Sequence, residues 1–497
     1  MFVKLVRLMT IMSIIVATIS FVPSAMAGEE ACDTRVNNTF EKLLECLTLE
    51  GVREHQAAFQ AIADANGGIR AAGTPGYDAS VQYVVDRMTA AGYNVTLNAF
   101  PFVFVPPAVL QQIAPIAATY ETGAFTGTGY GDVTAAVTAV DINLVPPRAS
   151  TSACEAADFA GFPAGNIALI QRGTCPFAMK AQNAQAAGAS AVIIFNQGDT
   201  PLREGLIIGT LLPFIAGIPV VGGSFADGVA LSQAGTQARV KVDPAQNIIQ
   251  YNVIAESKDG DPNNVIMAGA HLDSVQRGPG INDNGSGSAA ILEVAEQMAK
   301  VKPRNQVRFA WWGAEEAGLV GSTAYVNSLT QAERDKITLY LNFDMIGSPN
   351  HVFFIYDGDD SDLVGAGPGP DGSAQIEKTF ERFFTLAGVP FKGTDFSGRS
   401  DYGPFIAAGI PSGGLFTGAE GIKTAAEALI WGGTAGQQYD ACYHLACDTF
   451  SNNNDYALSV NADAVAYAVL QYAMSTIGIN GVRGKGNFQL PHDEITE

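Results

Sequence analysis

Residues 264–274 read Asn-Val-Ile-Met-Ala-Gly-Ala-His-Leu-Asp-Ser, and residues 281–287 read Ile-Asn-Asp-Asn-Gly-Ser-Gly. The first is an apolar run that breaks into polar residues at His271. The second is turn-forming and leads into the helical texture of Ser288 to Val301. The same order then repeats, with a strand over Gln306 to Trp312, a helix over Ser322 to Ser328 and a strand over Ile337 to Asp344. Strands joined by short helical crossovers predict an α/β fold whose central sheet is mostly parallel and flanked by helices. Such sheets bind ligands at the carboxyl ends of their strands.

The strand ends therefore decide the chemistry, and each offers a metal ligand. His271 follows the first strand, Asp283 lies in the Gly-rich loop, Glu315 and Glu316 follow the strand that closes on Trp311-Trp312, and Asp344 ends the next. His444 comes last, between Cys442 and Cys447. The chain has only five histidines, so two in this set are informative. One imidazole set against carboxylates suits zinc. Five ligands exceed what one zinc with an open position takes. If Asp283 bridges two ions, each ion gains three protein ligands and a shared water completes both shells. Two Zn²⁺, three carboxylates and a bridging hydroxide sum to zero charge, which favours a partly buried site. Glu315, left over beside a ligand, suits a general base. Asp273 is placed to accept the ring N–H of His271 that faces away from the metal.

Taken singly, these features have plainer readings. Asn282 to Gly285 reads as a turn, Glu315-Glu316 as a solvated pair at a helix start, and the two histidines as a core residue and a loop residue. The glycines at 285 and 287 lack the lysine of a phosphate-binding loop. One shared explanation for five coincidences is the simpler reading.

Composition excludes other classes. Lys+Arg 28 against Asp+Glu 49 leaves a net charge of -21, which disfavours nucleic acid and anionic membranes. Residues 1–27 read as a signal peptide: Lys4 and Arg7 precede an apolar stretch from Leu8 to Val22, then Ala25-Met26-Ala27. That stretch is short for a membrane span. The expected location is exported, in a periplasm or the medium. Export fits six cysteines in three local couples, Cys32 with Cys46, Cys154 with Cys175 and Cys442 with Cys447. The rival for the last couple is a thiolate zinc site.

Between residues 134 and 243 the chain reads as a self-contained insert, with strands at Ile167 to Gln171, Ala191 to Phe195 and Ile218 to Val221 and a helix from Pro176 to Ala187. Cys175-Pro176-Phe177 and the run from Ala187 to Asn196 resemble the protease-associated domain. Residues 28–133 and 244–497 then form the catalytic domain. Ala270 to Ser274, Asn282 to Gly287, Glu315 to Ser322, Asn342 to Gly347 and Cys442-Tyr443-His444 resemble the two-zinc exopeptidases typified by secreted bacterial leucyl aminopeptidases.

That resemblance implies one zinc on His271 and Asp344, another on Glu316 and His444, Asp283 bridging, Glu315 as base and Tyr443 bonded to the oxyanion. Ser400 to Phe405 matches a further motif, preceded by Arg399, which in the relatives helps hold substrate or product. Met345, Gly398 and Phe416 would line an apolar pocket for the first side chain, and the Asp283–Asn284 peptide bond would be cis. The resemblance implies an aminopeptidase acting on peptide or protein N-termini, with a preference for large hydrophobic residues, as a monomer. Carboxypeptidases, glutaminyl cyclases and non-catalytic binding relatives share the fold and are the alternatives.

Overall fold

A computed structural model describes residue 32 and residues 34–481, apart from positions 364 and 366. The expected signal peptide lies outside the described residues. The strands among the described residues, in chain order, are β1 (Asn94–Phe104), β2 (Val109–Ala114), β3 (Ala118–Tyr120), β4 (Gly131–Val140), β5 (Ile167–Gln171), β6 (Ala191–Phe195), β7 (Val220–Gly223), β8 (Gln237–Val242), β9 (Gln246–Glu256), β10 (Asp261–His271), β11 (Asn305–Trp312), β12 (Ile337–Phe343), β13 (Phe354–Tyr356), β14 (Lys392–Thr394) and β15 (Ser412–Phe416).

The larger sheet runs β1-β9-β11-β10-β12-β15-β13-β14. Its centre, β11-β10-β12-β15, is parallel, with antiparallel pairs on either side. The central strands are continuous apolar runs because both faces are covered. Along β10, Ile266, Ala268 and Ala270 enter one core while Val265 and Met267 enter another. Helices Leu49–Ala65, Pro75–Ala90, Gly285–Gln297, Ser373–Ala387 and Asp455–Met474 supply the first core. Helices Val320–Ser328 and Tyr402–Ala407 supply the second.

Strand β1 runs through Pro101 to Phe104 and stays paired with β9. As the edge strand, β1 can carry a residue without an N–H. The helix expected from Ser288 begins at Gly285, because the Asn284 side chain accepts from the Gly287 N–H at 2.9 Å and caps it. Glycine at 287 lets this helix start press on β12: a Cβ there would stand 2.1 Å from the Phe343 carbonyl oxygen.

The second sheet runs β3-β2-β8-β4-β5-β6-β7. It starts at Val109, well before residue 134, since β2 and β3 join it through β8. Its parallel half, β4 to β7, resembles the catalytic sheet in miniature. All three disulfides join the expected local couples. Among the described residues, no helix is long and apolar enough to cross a membrane.

Candidate metal centre and active site

Strand β10 ends on His271, β11 delivers Glu315 and Glu316 just past Trp312, and Asp344 follows β12. Asp283 precedes the helix at Gly285, and His444 extends from the loop closed by Cys442–Cys447. All meet in one place. Nε2 of His271 lies 3.2 Å from Asp283 Oδ1, 3.4 Å from Asp344 Oδ1 and 3.8 Å from Glu315 Oε2. Nε2 of His444 lies 3.2 Å from Asp283 Oδ2 and 3.0 Å from Glu316 Oε2. Asp283 thus turns one oxygen to each histidine. Its peptide bond to Asn284 is cis.

The donors fit metal ions. Two ligands each about 2.1 Å from a tetrahedral zinc stand about 3.4 Å apart, close to the spacings here. Asp283 Oδ2, Glu316 Oε1 and Asp344 Oδ1 are buried with no hydrogen-bond partner. Buried carboxylate oxygens left unpaired are costly, and cations resolve the cost. His271, Asp344, Glu316 and His444 are the groups that would hold such cations, with Asp283 between the histidines.

The surroundings fix these ligands. Ser400 Oγ donates to Asp344 Oδ2 at 2.5 Å and accepts from Asn342 Nδ2 at 2.8 Å. Asp448 accepts from the backbone N–H groups of Asn282 and Asp283, at 2.8 and 3.0 Å. Asp273 faces the ring nitrogen of His271 through its main chain. Its main-chain oxygen lies 3.0 Å from His271 Nδ1, whereas its carboxylate is 3.7 Å away and accepts from the backbone N–H groups of Glu315 and Glu316. The ring is still oriented from Asp273, but through a carbonyl. The turn after β10 folds the main chain under the ring and leaves the carboxylate to order the neighbouring loop.

Electrostatics follow from burial. Desolvation drives the Glu315 carboxyl well above its ordinary range, and Asp401, Asp344 and Glu316 push it the same way against His271. Burial and Asp283 raise Glu316 to about 7 against the pull of His444. Burial works to raise Asp283 as well, but the two histidines against its oxygens outweigh it and hold that carboxyl well below its usual range.

A cavity of about 350 Å³ opens beside the centre. Met345, Arg399 and Phe416 bound it, together with Phe354, Tyr356 and Tyr439, which sequence reasoning missed. The three missed aromatics have no motif; they are apolar residues of separate segments that the fold brings together. Gly398, expected in the wall, is not among the residues bounding the cavity. It has no side chain to reach inward, and its N–H is turned to Tyr402 Oη at 2.9 Å. Arg399 Nη2 donates to Tyr443 Oη at 3.0 Å and its Nη1 to Glu420 at 2.7 Å, while the Tyr443 ring stacks on His444 with centroids 3.8 Å apart.

Arg70 was also missed. It is fully buried and donates to the carbonyls of Leu272, Pro279 and Gly280 at 2.5, 2.9 and 2.6 Å, clamping the segment between His271 and Asp283. In sequence it stands in a turn-rich connector with no signature around it.

Paired acids and histidines at the carboxyl ends of parallel strands, with an acid left over beside them, define a metal-dependent hydrolase. Residues 252–469 match Peptidase family M28 and residues 139–231 match the PA domain. The chain is 52% identical over 444 residues to an aminopeptidase of Pseudomonas aeruginosa, covering 87% of this chain and 82% of that protein. It is 47% identical over 342 residues to leucine aminopeptidase 2 of Trichophyton rubrum, covering 66% of each. Its fold is similar to that of a zinc aminopeptidase from Bacillus subtilis, with a TM-score of 0.57, 25% identity and coverage of 86% of this chain and 95% of that one. The chain belongs to Peptidase family M28 and carries an inserted PA domain.

Proposed function

We infer that the protein is an exported zinc aminopeptidase that removes unblocked, preferably large hydrophobic, N-terminal residues from peptides, with two zinc ions per chain. One observation carries this reading: the two oxygens of Asp283 each stand 3.2 Å from a different histidine, so one carboxylate serves two ligand sets. Zinc bound there supplies Lewis acidity toward the scissile carbonyl and acidifies water.

The rest falls to the chain's own groups. Glu315 sits within the cluster, its carboxyl raised by burial, and is placed to accept a proton from the attacking water and return it to the leaving amine. Tyr443 accepts a hydrogen bond from Arg399, which leaves its own O–H to donate to the developing oxyanion. The cavity walls of Met345, Phe354, Tyr356 and Phe416 suit an apolar first side chain. Export is supported by the three disulfides. The division into a catalytic domain and an insert follows the two sheets, with the insert drawn from Val109 to Val242.

The test is a panel of aminoacyl chromogenic amides beside their N-acetylated forms and C-terminal counterparts, with metal counted on the same sample. Leucyl and phenylalanyl amides should be cleaved best, acetylation should abolish cleavage, chelation should stop it and zinc should restore it. Cleavage from the carboxyl end, cyclisation without hydrolysis, or full activity with one zinc per chain would each replace this reading.

A further inference from the structure

A second cluster has the same construction as the active site and takes no part in it. Helix Leu49–Ala65 lays His55 against helix Gly285–Gln297, where Glu293 and Glu296 stand nearly one turn apart. His55 is fully buried and Glu293 nearly so. The Nδ1 of His55 is held by the Tyr83 hydroxyl at 2.8 Å, which fixes the ring. Its Nε2 points at the two acids, 3.4 Å from Glu293 Oε2 and 3.8 Å from Glu296 Oε2, and is buried without a hydrogen-bond partner.

Three facts favour a cation between these groups over a direct hydrogen bond. First, the 3.4 Å spacing is that of two ligands on one tetrahedral ion, about 2.1 Å from each, and it repeats the spacing around His271. Second, neighbouring groups hold both carboxylates in place beside the ring. Gln297 Nε2 donates to Glu293 Oε1 at 3.0 Å, and Arg87 grips both oxygens of Glu296 at 2.6 Å. That arrangement leaves Glu293 Oε2 facing the ring and orients Glu296 as an outer partner orients a metal ligand. Third, Glu54, Glu293 and Glu296 carry three negative charges against the one positive charge of Arg87, which also bonds Glu54 at 2.8 Å. A divalent ion makes the group neutral. Space for the arrangement comes from Gly51, where a Cβ would stand 2.5 Å from the Glu293 carboxyl carbon.

We propose that His55, Glu293 and Glu296 form a structural metal site, separate from the catalytic centre, that takes a zinc-class divalent cation through one imidazole and two carboxylates. One imidazole with carboxylates is a donor set of this class. The ion ties helix Leu49–Ala65 to helix Gly285–Gln297, whose first turn adjoins Asp283. It stabilises the fold without touching the reaction.

The test is zinc-edge anomalous scattering from crystals of the full-length protein grown with zinc, together with metal counting on the Glu293→Gln and Glu296→Gln variants. The proposal expects an anomalous peak about 2.0 to 2.3 Å from His55 Nε2. It also expects one metal equivalent fewer in Glu293→Gln than in the parent, a lower Tm, and kcat within about twofold of the parent. Glu296→Gln, at a partly exposed position, gives a second reading if Glu293→Gln does not fold. No peak at His55, or equal metal counts in parent and variants, overturns the proposal and leaves a histidine–glutamate ion pair. The outcome is independent of whether the catalytic centre acts on N-termini.

Discussion

The two sheets of this molecule are built alike where they are buried and differently where they end. In the insert, every residue of β5 and β6 is buried, as is every residue of β12 in the catalytic sheet. At the carboxyl end of β5 stands Gln171, whose amide is satisfied: it accepts from the Asn143 N–H at 2.7 Å and donates to the carbonyls of Asn143 and Gln197 at 3.0 and 3.1 Å. The next ends give Asn196, bonded to Gly205, and Ser224, which caps a helix. At the ends of β10, β11 and β12 stand a histidine and acids, two of whose oxygens find no hydrogen-bond partner, and Asp283 in the loop after β10 adds a third. The lesson is that a buried parallel sheet is a scaffold and that unmet valence at its strand ends marks the reactive one.

The largest expected effect is at Asp283. Asp283→Ala removes the carboxylate shared by the two ligand sets, and both metals should be lost with activity falling to background, measured by metal analysis and leucyl-amide hydrolysis. Retention of one tightly bound ion and of activity would break the contrast, since each histidine would then have a sufficient set of its own.

Glu315→Gln should come next. It keeps the shape and the metals but cannot accept a proton, so kcat should fall by about 10² to 10⁴. Near-parental turnover with metals intact would move the proton to another group, of which buried Asp401, with neither oxygen hydrogen-bonded, is one.

Tyr443→Phe should lower kcat by about 10² to 10³, the scale of one oxyanion donor, with a much smaller change in KM. If the ring only packs on His444, phenylalanine will pack as well and kcat will hold. Loss of metal in this variant would show instead that the stack on His444 had been disturbed.

The smallest effect is predicted on the other side of the comparison. Gln171→Ala leaves an N–H and two carbonyls of the insert unpaired, and should cost about 1 to 3 kcal/mol locally. Faster hydrogen exchange of the β5 amides, with kcat unchanged, is the expected readout. A fall in kcat would mean that the strand ends of the insert serve the reaction after all.

The sequence by itself determined the strand–helix alternation after residue 246, the histidine and acids at its strand ends and the three disulfides. Each is a local pattern: an apolar run followed by its polar end, or two cysteines close in the chain. Only the tertiary structure decided which group orients His271, because a carbonyl and a carboxylate of the same residue compete for one ring nitrogen and the turn chooses between them. It also decided the make-up of the second sheet, since β2, which carries β3, is paired to β8 more than a hundred residues later. The aromatic cavity wall, the Arg70 clamp and the meeting of His55 with Glu293 belong to the same kind. They join groups far apart in the chain, and neither periodicity nor turn chemistry, which act over a few residues, records such contacts; packing of the helices on the sheet creates them.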